Sequence, residues 1–114
     1  MRNSAFSEGF WVCDDVTDSF IVSRLTPAGR GAVACLAVEG PGAAAALAAE
    51  VRWPRGQADQ LVFQRPVLAR LGRQGEEVII VRRTEHRFEI HCHGGHAPVE
   101  YCIERLSEHG GQAI

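Results

Sequence analysis

The chain has 114 residues, which is the size of a single domain with a modest core. Its hydrophobic and charged fractions of 46% and 23% are typical of a globular protein, and its net charge of −2 at pH 7 argues against a broad electrostatic surface for nucleic acid. No apolar run is long enough to span a membrane and no signal-peptide pattern begins the sequence, so we expect a cytoplasmic protein without membrane association.

The first part of the chain predicts a leader followed by two strands. Residues 1–18 show no clear periodicity and are assigned to the leader, and one domain is expected over residues 19–114. Residues 19–25 (SFIVSRL) favour a first strand. The proline and two glycines of residues 26–31 (TPAGRG) indicate a loop, and the almost wholly apolar residues 32–38 (AVACLAV) indicate a central, buried strand.

The middle of the chain predicts a helix and the start of a hairpin. Residues 43–51 (AAAALAAEV) are rich in the best helix former, and residues 52–59 form a polar connection. Residues 61–71 (LVFQRPVLARL) contain Pro66, which predicts an edge strand or an interrupted strand, and residues 72–75 (GRQG) favour a hairpin turn.

The C-terminal part completes the predicted fold. Residues 76–81 (EEVIIV) indicate a strand, residues 82–86 a short turn, residues 88–93 a further strand and residues 97–108 a helix, while residues 112–114 would begin another strand. Strands that interleave with two helices predict an α+β fold, in which a small mixed sheet of about five strands carries two helices on one face.

The most informative stretch is residues 88–98 (FEIHCHGGHAP), which predicts a strand, a tight glycine turn at Gly94 and Gly95, and the start of a helix. Side chains alternate along a strand, so Phe88, Ile90 and Cys92 are expected on one face and Glu89, His91 and His93 on the other. A helix N-terminus presents unpaired N–H groups, so this corner suits an anionic or carbonyl-bearing ligand.

The same stretch also contains potential metal ligands. The residues His91, Cys92, His93 and His96 are potential zinc ligands, but the predicted strand turns Cys92 away from His91 and His93. We therefore predict no metal, with Cys92 in the core and the histidines hydrogen-bonded to loop backbone. The four cysteines are expected to be free thiols, and they are Cys13, Cys35, Cys92 and Cys102.

Two catalytic motifs are excluded by what they lack. The HGG of residues 93–95 is similar to an esterase oxyanion loop, but no serine lies in a G-x-S-x-G elbow. The glycines around Arg30 are similar to a phosphate loop, but a Walker motif needs a lysine and the chain contains none. Arg30 remains a plausible anion contact at a loop tip, and no catalytic residue is predicted.

Two motifs together resemble a known family. Residues 26–41 (TPAGRGAVACLAVEGP) are followed about fifty residues later by residues 89–95 (EIHCHGG). Their order and spacing resemble the N-terminal domain of the MnmE/TrmE family of tRNA-modification GTPases, over roughly residues 18–114. The resemblance implies a fold like that of the folate-binding domain of aminomethyltransferases.

The resemblance also implies a function. Such a domain forms a homodimer and binds formylated tetrahydrofolate, and the whole protein modifies the wobble uridine of certain tRNAs together with a flavoprotein partner. The implied cofactor-binding residues here are Arg30, Glu89, His93, Gly94 and Gly95. The G domain and the C-terminal cysteine motif of the family lie outside this sequence, so we expect tRNA contact to be indirect and this domain not to be catalytic alone.

An alternative stays open, in which the chain is a divergent stand-alone interaction module that keeps the fold and has lost folate binding. Ala37 stands where the family usually carries an arginine, and Glu39 replaces the serine of its SGP turn. Both changes favour the alternative, whereas the HGG turn favours a working folate pocket. The apolar residues 61–71 provide the sequence argument for a dimer under either reading.

Overall fold

A computed structural model describes residues 19–26, 32–53 and 61–114. The predicted leader of residues 1–18 and most of the predicted glycine loop, including Arg30, lie outside the described residues. Within the described residues, no helix is long and apolar enough to cross a membrane.

The described residues form one mixed sheet and two helices, which confirms the predicted α+β class. The strands are β1 (Phe20–Arg24), β2 (Val33–Glu39), β3 (Val51–Arg52), β4 (Val67–Leu71), β5 (Glu76–Thr84), β6 (Arg87–His93) and β7 (Gly111–Ala113), and the helices are α1 (Ala43–Glu50) and α2 (His96–Ser107). The strand order is β3-β4-β5-β6-β2-β1-β7. Only the β1–β7 pair is parallel, and the other neighbours are antiparallel.

Both helices contribute to a single core on one face of the sheet. Strand β6 alternates as the sequence predicts, with Phe88, Ile90 and Cys92 fully buried and the intervening side chains on the other face. Strand β2 places Leu36 opposite Ile90 in the same buried layer. The helices add buried side chains to this layer, namely Ala43, Ala46, Leu47, Val99, Cys102 and Leu106.

The sheet has seven strands and not about five, because two short edge strands extend it. Strand β3 comprises only Val51 and Arg52, which the sequence assigned to the end of a helix and to a connection. Strand β7 pairs with β1 and confirms the predicted strand at the C-terminal end. A two- or three-residue strand is stabilised by its neighbour and leaves little periodicity in the sequence.

Strand β5 is longer than predicted, since residues 82–84 continue it and only residues 85–86 form the turn. The guanidinium of Arg82 is nearly buried and lies over the rings of Phe63 and Phe88, at 5.1 and 5.3 Å from their centroids. A bulge between Arg82 and Thr84 accommodates the change of register against β6. The charged side chains concealed this extension in the sequence.

The strand predicted over residues 61–71 is interrupted, as Pro66 indicates. Strand pairing begins only at Val67, directly after Pro66, which has no N–H group to donate to a neighbouring strand. Before the proline, the Gln64 N–H donates to the carbonyl of Arg82 at 2.8 Å, and Gln64 has a φ of 68°. This part of the predicted strand is therefore a turn tied to β5.

A carboxylate at the end of α1 ties the two helices together. Glu50 accepts hydrogen bonds from Arg105 Nε and Nη2 at 2.9 and 3.2 Å and lies 2.6 Å from His109 Nε2, and its side chain is 8% exposed. Burial by itself raises the pKa of Glu50, but the hydrogen bonds from Arg105 and His109 outweigh burial, so the pKa lies below its ordinary value.

We expect Glu50→Gln to lower the free energy of unfolding by about 1–3 kcal/mol, because a charged hydrogen-bond acceptor is lost from a nearly buried position. The contribution is present above the unfolded glutamate pKa of about 4.3 and is lost as pH falls through the lower folded pKa. Urea unfolding at pH 7 and at pH 3 measures both effects. Glu104→Gln, on an exposed position of α2, is the matched control and should change stability at either pH by less than about 0.5 kcal/mol.

Candidate functional site

The sheet face away from the helices, here called the open face, carries the polar residues of β6. The register between β2 and β6 places Cys35 opposite His91 and Ala37 opposite Glu89. On the other side of β6, Ile79 of β5 is opposite His91. Because directly opposed residues point to the same side of a sheet, the open face collects side chains from three adjacent strands in the middle of the sheet.

Glu89 lies in a network of ion pairs on the open face. Its Oε1 accepts from Arg83 Nε and lies 3.0 Å from both Nε and Nη2 of Arg83, while its Oε2 is 3.5 Å from Arg87. Arg87 also pairs with Glu39 at 3.1 Å. The hydrogen bond from Arg83 holds the pKa of Glu89 below its ordinary value, so the carboxylate is ionised at neutral pH.

His93 lies at the other end of β6. Its Nδ1 is 2.7 Å from Glu76 Oε2, and this hydrogen bond raises the pKa of the exposed imidazole. His93 is four positions after Glu89, which is about 13 Å along a strand. The structure therefore places these two predicted site residues on the same face but not side by side, with His91 between them.

The HGG turn follows the C-terminal end of β6 at the border of the open face. Gly95 has φ 103° and ψ 166°, a conformation that is essentially restricted to glycine, and α2 begins at the next residue. The Gly94 N–H donates to the carbonyl of Ala32 at 2.9 Å, and Val33 is opposite His93. Ala32, which directly follows the predicted loop of residues 26–31, and the HGG turn are therefore adjacent in the fold.

A shallow groove runs across the open face beside His91 and His93. Its volume is about 140 Å³, and an apolar stripe of Val33, Leu68 and Ile79 forms much of its lining. These three side chains are 58%, 56% and 41% exposed. The groove is smaller than the roughly 300–1,000 Å³ pockets that enclose drug-sized ligands.

Cys35 is a site residue that the sequence did not single out. Its Sγ is 3.9 Å from His91 Nε2, and its backbone N–H donates to Thr26 Oγ1 at 3.2 Å. Burial, and after it the charge of Glu89, raises the pKa of the Cys35 thiol. Strand β2 is apolar on both faces, so alternation in the sequence does not reveal which side Cys35 takes.

The residues of the predicted zinc alternative separate as expected, because Cys92 is buried on the helix face, away from His91 and His93. The expectation that these histidines bond loop backbone is wrong for two of them, since His91 contacts Cys35 and His93 contacts Glu76. Among the cysteines that the structure describes, Cys35, Cys92 and Cys102 are free thiols.

No protein-family model matches this sequence, and a comparison with curated proteins finds no significant match. The family resemblance of the loop motif and the HGG motif accordingly remains a prediction.

We expect Gly95→Ala to lower the free energy of unfolding by about 1–3 kcal/mol, because a Cβ disfavours this backbone conformation. No atom lies within 4 Å of the added Cβ, so the cost comes from the backbone and not from a clash. Gly94→Ala is the matched comparison, since Gly94 is not among the glycines of positive φ, and it should cost less. Equal losses measured by urea unfolding would show that the φ of Gly95 does not limit the turn.

Proposed function

We propose that this chain is a ligand-binding and dimerisation domain of the kind found at the N-terminus of tRNA-modification GTPases, and that it binds formylated tetrahydrofolate on the open face. The observation that carries the proposal is the junction of its two motifs. The Gly94 N–H bonds to Ala32, the residue that follows the glycine loop, so two segments about sixty residues apart meet at one corner of the sheet.

The chemistry of Glu89 supports a pterin ligand. The amino-pyrimidinone edge of a pterin presents N–H donors, and an ionised carboxylate accepts two such donors side by side. Arg83 fixes the carboxylate through Oε1, while Oε2 has a longer contact, 3.5 Å, with Arg87 and, as far as the described residues show, keeps acceptor capacity. Under this proposal the pterin ring lies over the open face beside His91.

In the proposed folate ligand, the end opposite the pterin ring is an anionic glutamate tail. The start of α2, behind Gly94 and Gly95, supplies backbone N–H groups, and the pairing with Glu76 favours the cationic form of His93. Arg30, which lies outside the described residues, is proposed from the family resemblance as a further positive charge for this tail. In this arrangement Glu89 binds the pterin ring, while His93 and the Gly94–Gly95 turn bind the glutamate tail. The separation of Glu89 from His93 along β6 fits this assignment.

The size of the groove and its apolar stripe support a homodimer. A folate needs a second wall, and a second copy placed over Val33, Leu68 and Ile79 would provide it while covering exposed apolar surface. As part of a longer cytoplasmic protein, such a dimer would act with a flavoprotein partner and would contact tRNA only indirectly.

The alternative, an interaction module that has lost the ligand, is favoured by a different observation. Ala37 is buried directly opposite Glu89, and both Glu89 and Glu39 already pair with arginines of the same face. On this reading the ion pairs are structural, and the open face serves protein contacts alone.

Calorimetric titration of the chain with 5-formyltetrahydrofolate separates the two readings. We expect binding in the micromolar range, weakened at least about tenfold in Glu89→Gln, because a charged hydrogen bond contributes about 1.5–3 kcal/mol. Glu100→Gln, at an exposed position of α2, is the matched control and should bind like the unchanged chain.

Each outcome of the titration has a distinct meaning. Binding that Glu89→Gln retains would move the site away from Glu89. A folded chain that produces no heat at high concentration would contradict the folate proposal and support the interaction module.

The dimer has its own test in light scattering. We expect the chain to elute as a dimer and Ile79→Asp to raise the dimer dissociation constant at least about a hundredfold, because a carboxylate buried in an apolar contact costs several kcal/mol. Ile114→Asp changes an exposed apolar residue at the opposite edge of the sheet and should leave the dimer intact. A monomeric chain at high concentration would contradict the proposal.

A further inference from the structure

We propose that Cys35, Glu89 and His91 form a binding site for a thiophilic divalent metal ion of the zinc class, with a fourth coordination position open to solvent. One ligand atom from each residue, a sulfur, a carboxylate oxygen and an imidazole nitrogen, lies within 4.8 Å of the other two. This donor set is typical of zinc, and three protein ligands with one open position are typical of its non-structural sites.

The separation of the sulfur and nitrogen ligands is close to the one that a metal would impose. Tetrahedral zinc with ordinary bond lengths separates a bound sulfur from a bound nitrogen by about 3.6 Å. Cys35 Sγ and His91 Nε2 are 3.9 Å apart, and the carboxylate oxygen of Glu89 is within 4.8 Å of both. Binding of an ion would draw the three ligand atoms closer together.

The backbone holds the three ligands firmly. Cys35 and His91 are a directly opposed pair in the β2–β6 ladder, and Glu89 precedes His91 by two residues on the same face. Ala37 and Val81, which are opposite Glu89 on the two neighbouring strands, are only 2% and 4% exposed, so small or apolar buried side chains flank the carboxylate. A site on central strands is better organised in advance than one built from loops.

The charges of the site suit a divalent ion. Cys35 releases its thiol proton to solvent when the metal–sulfur bond forms, and the resulting thiolate adds one negative charge to that of Glu89, which also pairs with Arg83 and Arg87. Of the two carboxylate oxygens of Glu89, Arg83 contacts Oε1. A residue that hydrogen-bonds to a metal ligand without binding the metal commonly orients that ligand. The other oxygen, Oε2, is 3.5 Å from Arg87 and is available to a metal.

The metal proposal does not depend on folate binding. Cys35 has no role in the proposed folate contacts, whereas it is indispensable to the metal site. Glu89 belongs to both proposals, so a variant of Glu89 alone cannot separate them, and a variant of Cys35 can.

Cobalt(II) titration of the whole chain, purified without a histidine tag and with reduced thiols, tests the site. We expect one equivalent of cobalt to produce a thiolate-to-cobalt charge-transfer band and the visible absorption of four-coordinate cobalt, and one equivalent of zinc to remove both. We expect Cys35→Ser to abolish the charge-transfer band. His91→Gln and Glu89→Gln should each weaken binding at least about tenfold, since even the loss of an outer-shell partner costs 10–100-fold.

His93→Gln is the matched control, because His93 is on the same strand and face but bonds Glu76. It should bind cobalt like the unchanged chain. Amide NMR spectra show whether each variant is folded. If Cys35→Ser does not fold, the loss of cobalt binding in the His91 and Glu89 variants tests the site instead.

Two results would overturn the proposal. One is a folded, reduced chain that gives no charge-transfer band, and the other is a band that survives Cys35→Ser, which would move the metal to a different thiol. Folate titration of Cys35→Ser distinguishes the two proposals, since folate binding should persist in this variant when metal binding is lost.

Discussion

The pairing of β2 with β6 is the constraint on which the rest of the structure depends. Its register runs without interruption from Val33 opposite His93 to Glu39 opposite Arg87. A slip of one residue would exchange the two faces, moving Ile90 to solvent and His91 into the core. The same ladder brings together the two motifs, residues 26–41 and 89–95, because the Val33–His93 pair is next to the Gly94–Ala32 hydrogen bond. Core formation and assembly of the candidate site are therefore consequences of one strand register.

The two faces of this ladder differ in what stabilises them. On the helix face, Ile90 and Leu36 are completely buried among apolar neighbours, and the hydrophobic effect is sufficient to hold them. On the open face, Ala37 and Val81 are 2% and 4% exposed, and each is opposite Glu89 on a neighbouring strand. Glu89 pairs with Arg83 and Arg87, and Arg87 pairs with Glu39. This face therefore combines buried apolar positions with ion pairs between charged side chains.

The elements in which polar and apolar residues alternate could be predicted from the sequence. The elements without such alternation could not. Strand β6 alternates strictly, so its two faces, the glycine turn and the helix after it could all be predicted. Strand β2 is apolar on both faces, and only its partner strand determines that Cys35 lies beside His91. The charged residues at the end of β5 predict a turn, although Arg82 continues the strand and its guanidinium lies over the rings of Phe63 and Phe88. Strand β3 has two residues, too few for any periodicity to be detected.

The proposed dimer depends on two parts of the open face that differ in polarity. Its ionic end carries the paired side chains of Arg83, Arg87, Glu39 and Glu89. Its other end carries an apolar stripe that is about half exposed, beside a groove too small to enclose a ligand. Exposed apolar surface next to a satisfied ionic rim is typical of an interface, and a two-fold axis through the stripe would set the same stripe on both copies against itself. In such an arrangement the Cys35–His91 pair would lie at the edge of the contact, where a small ligand or a metal ion can reach it from solvent.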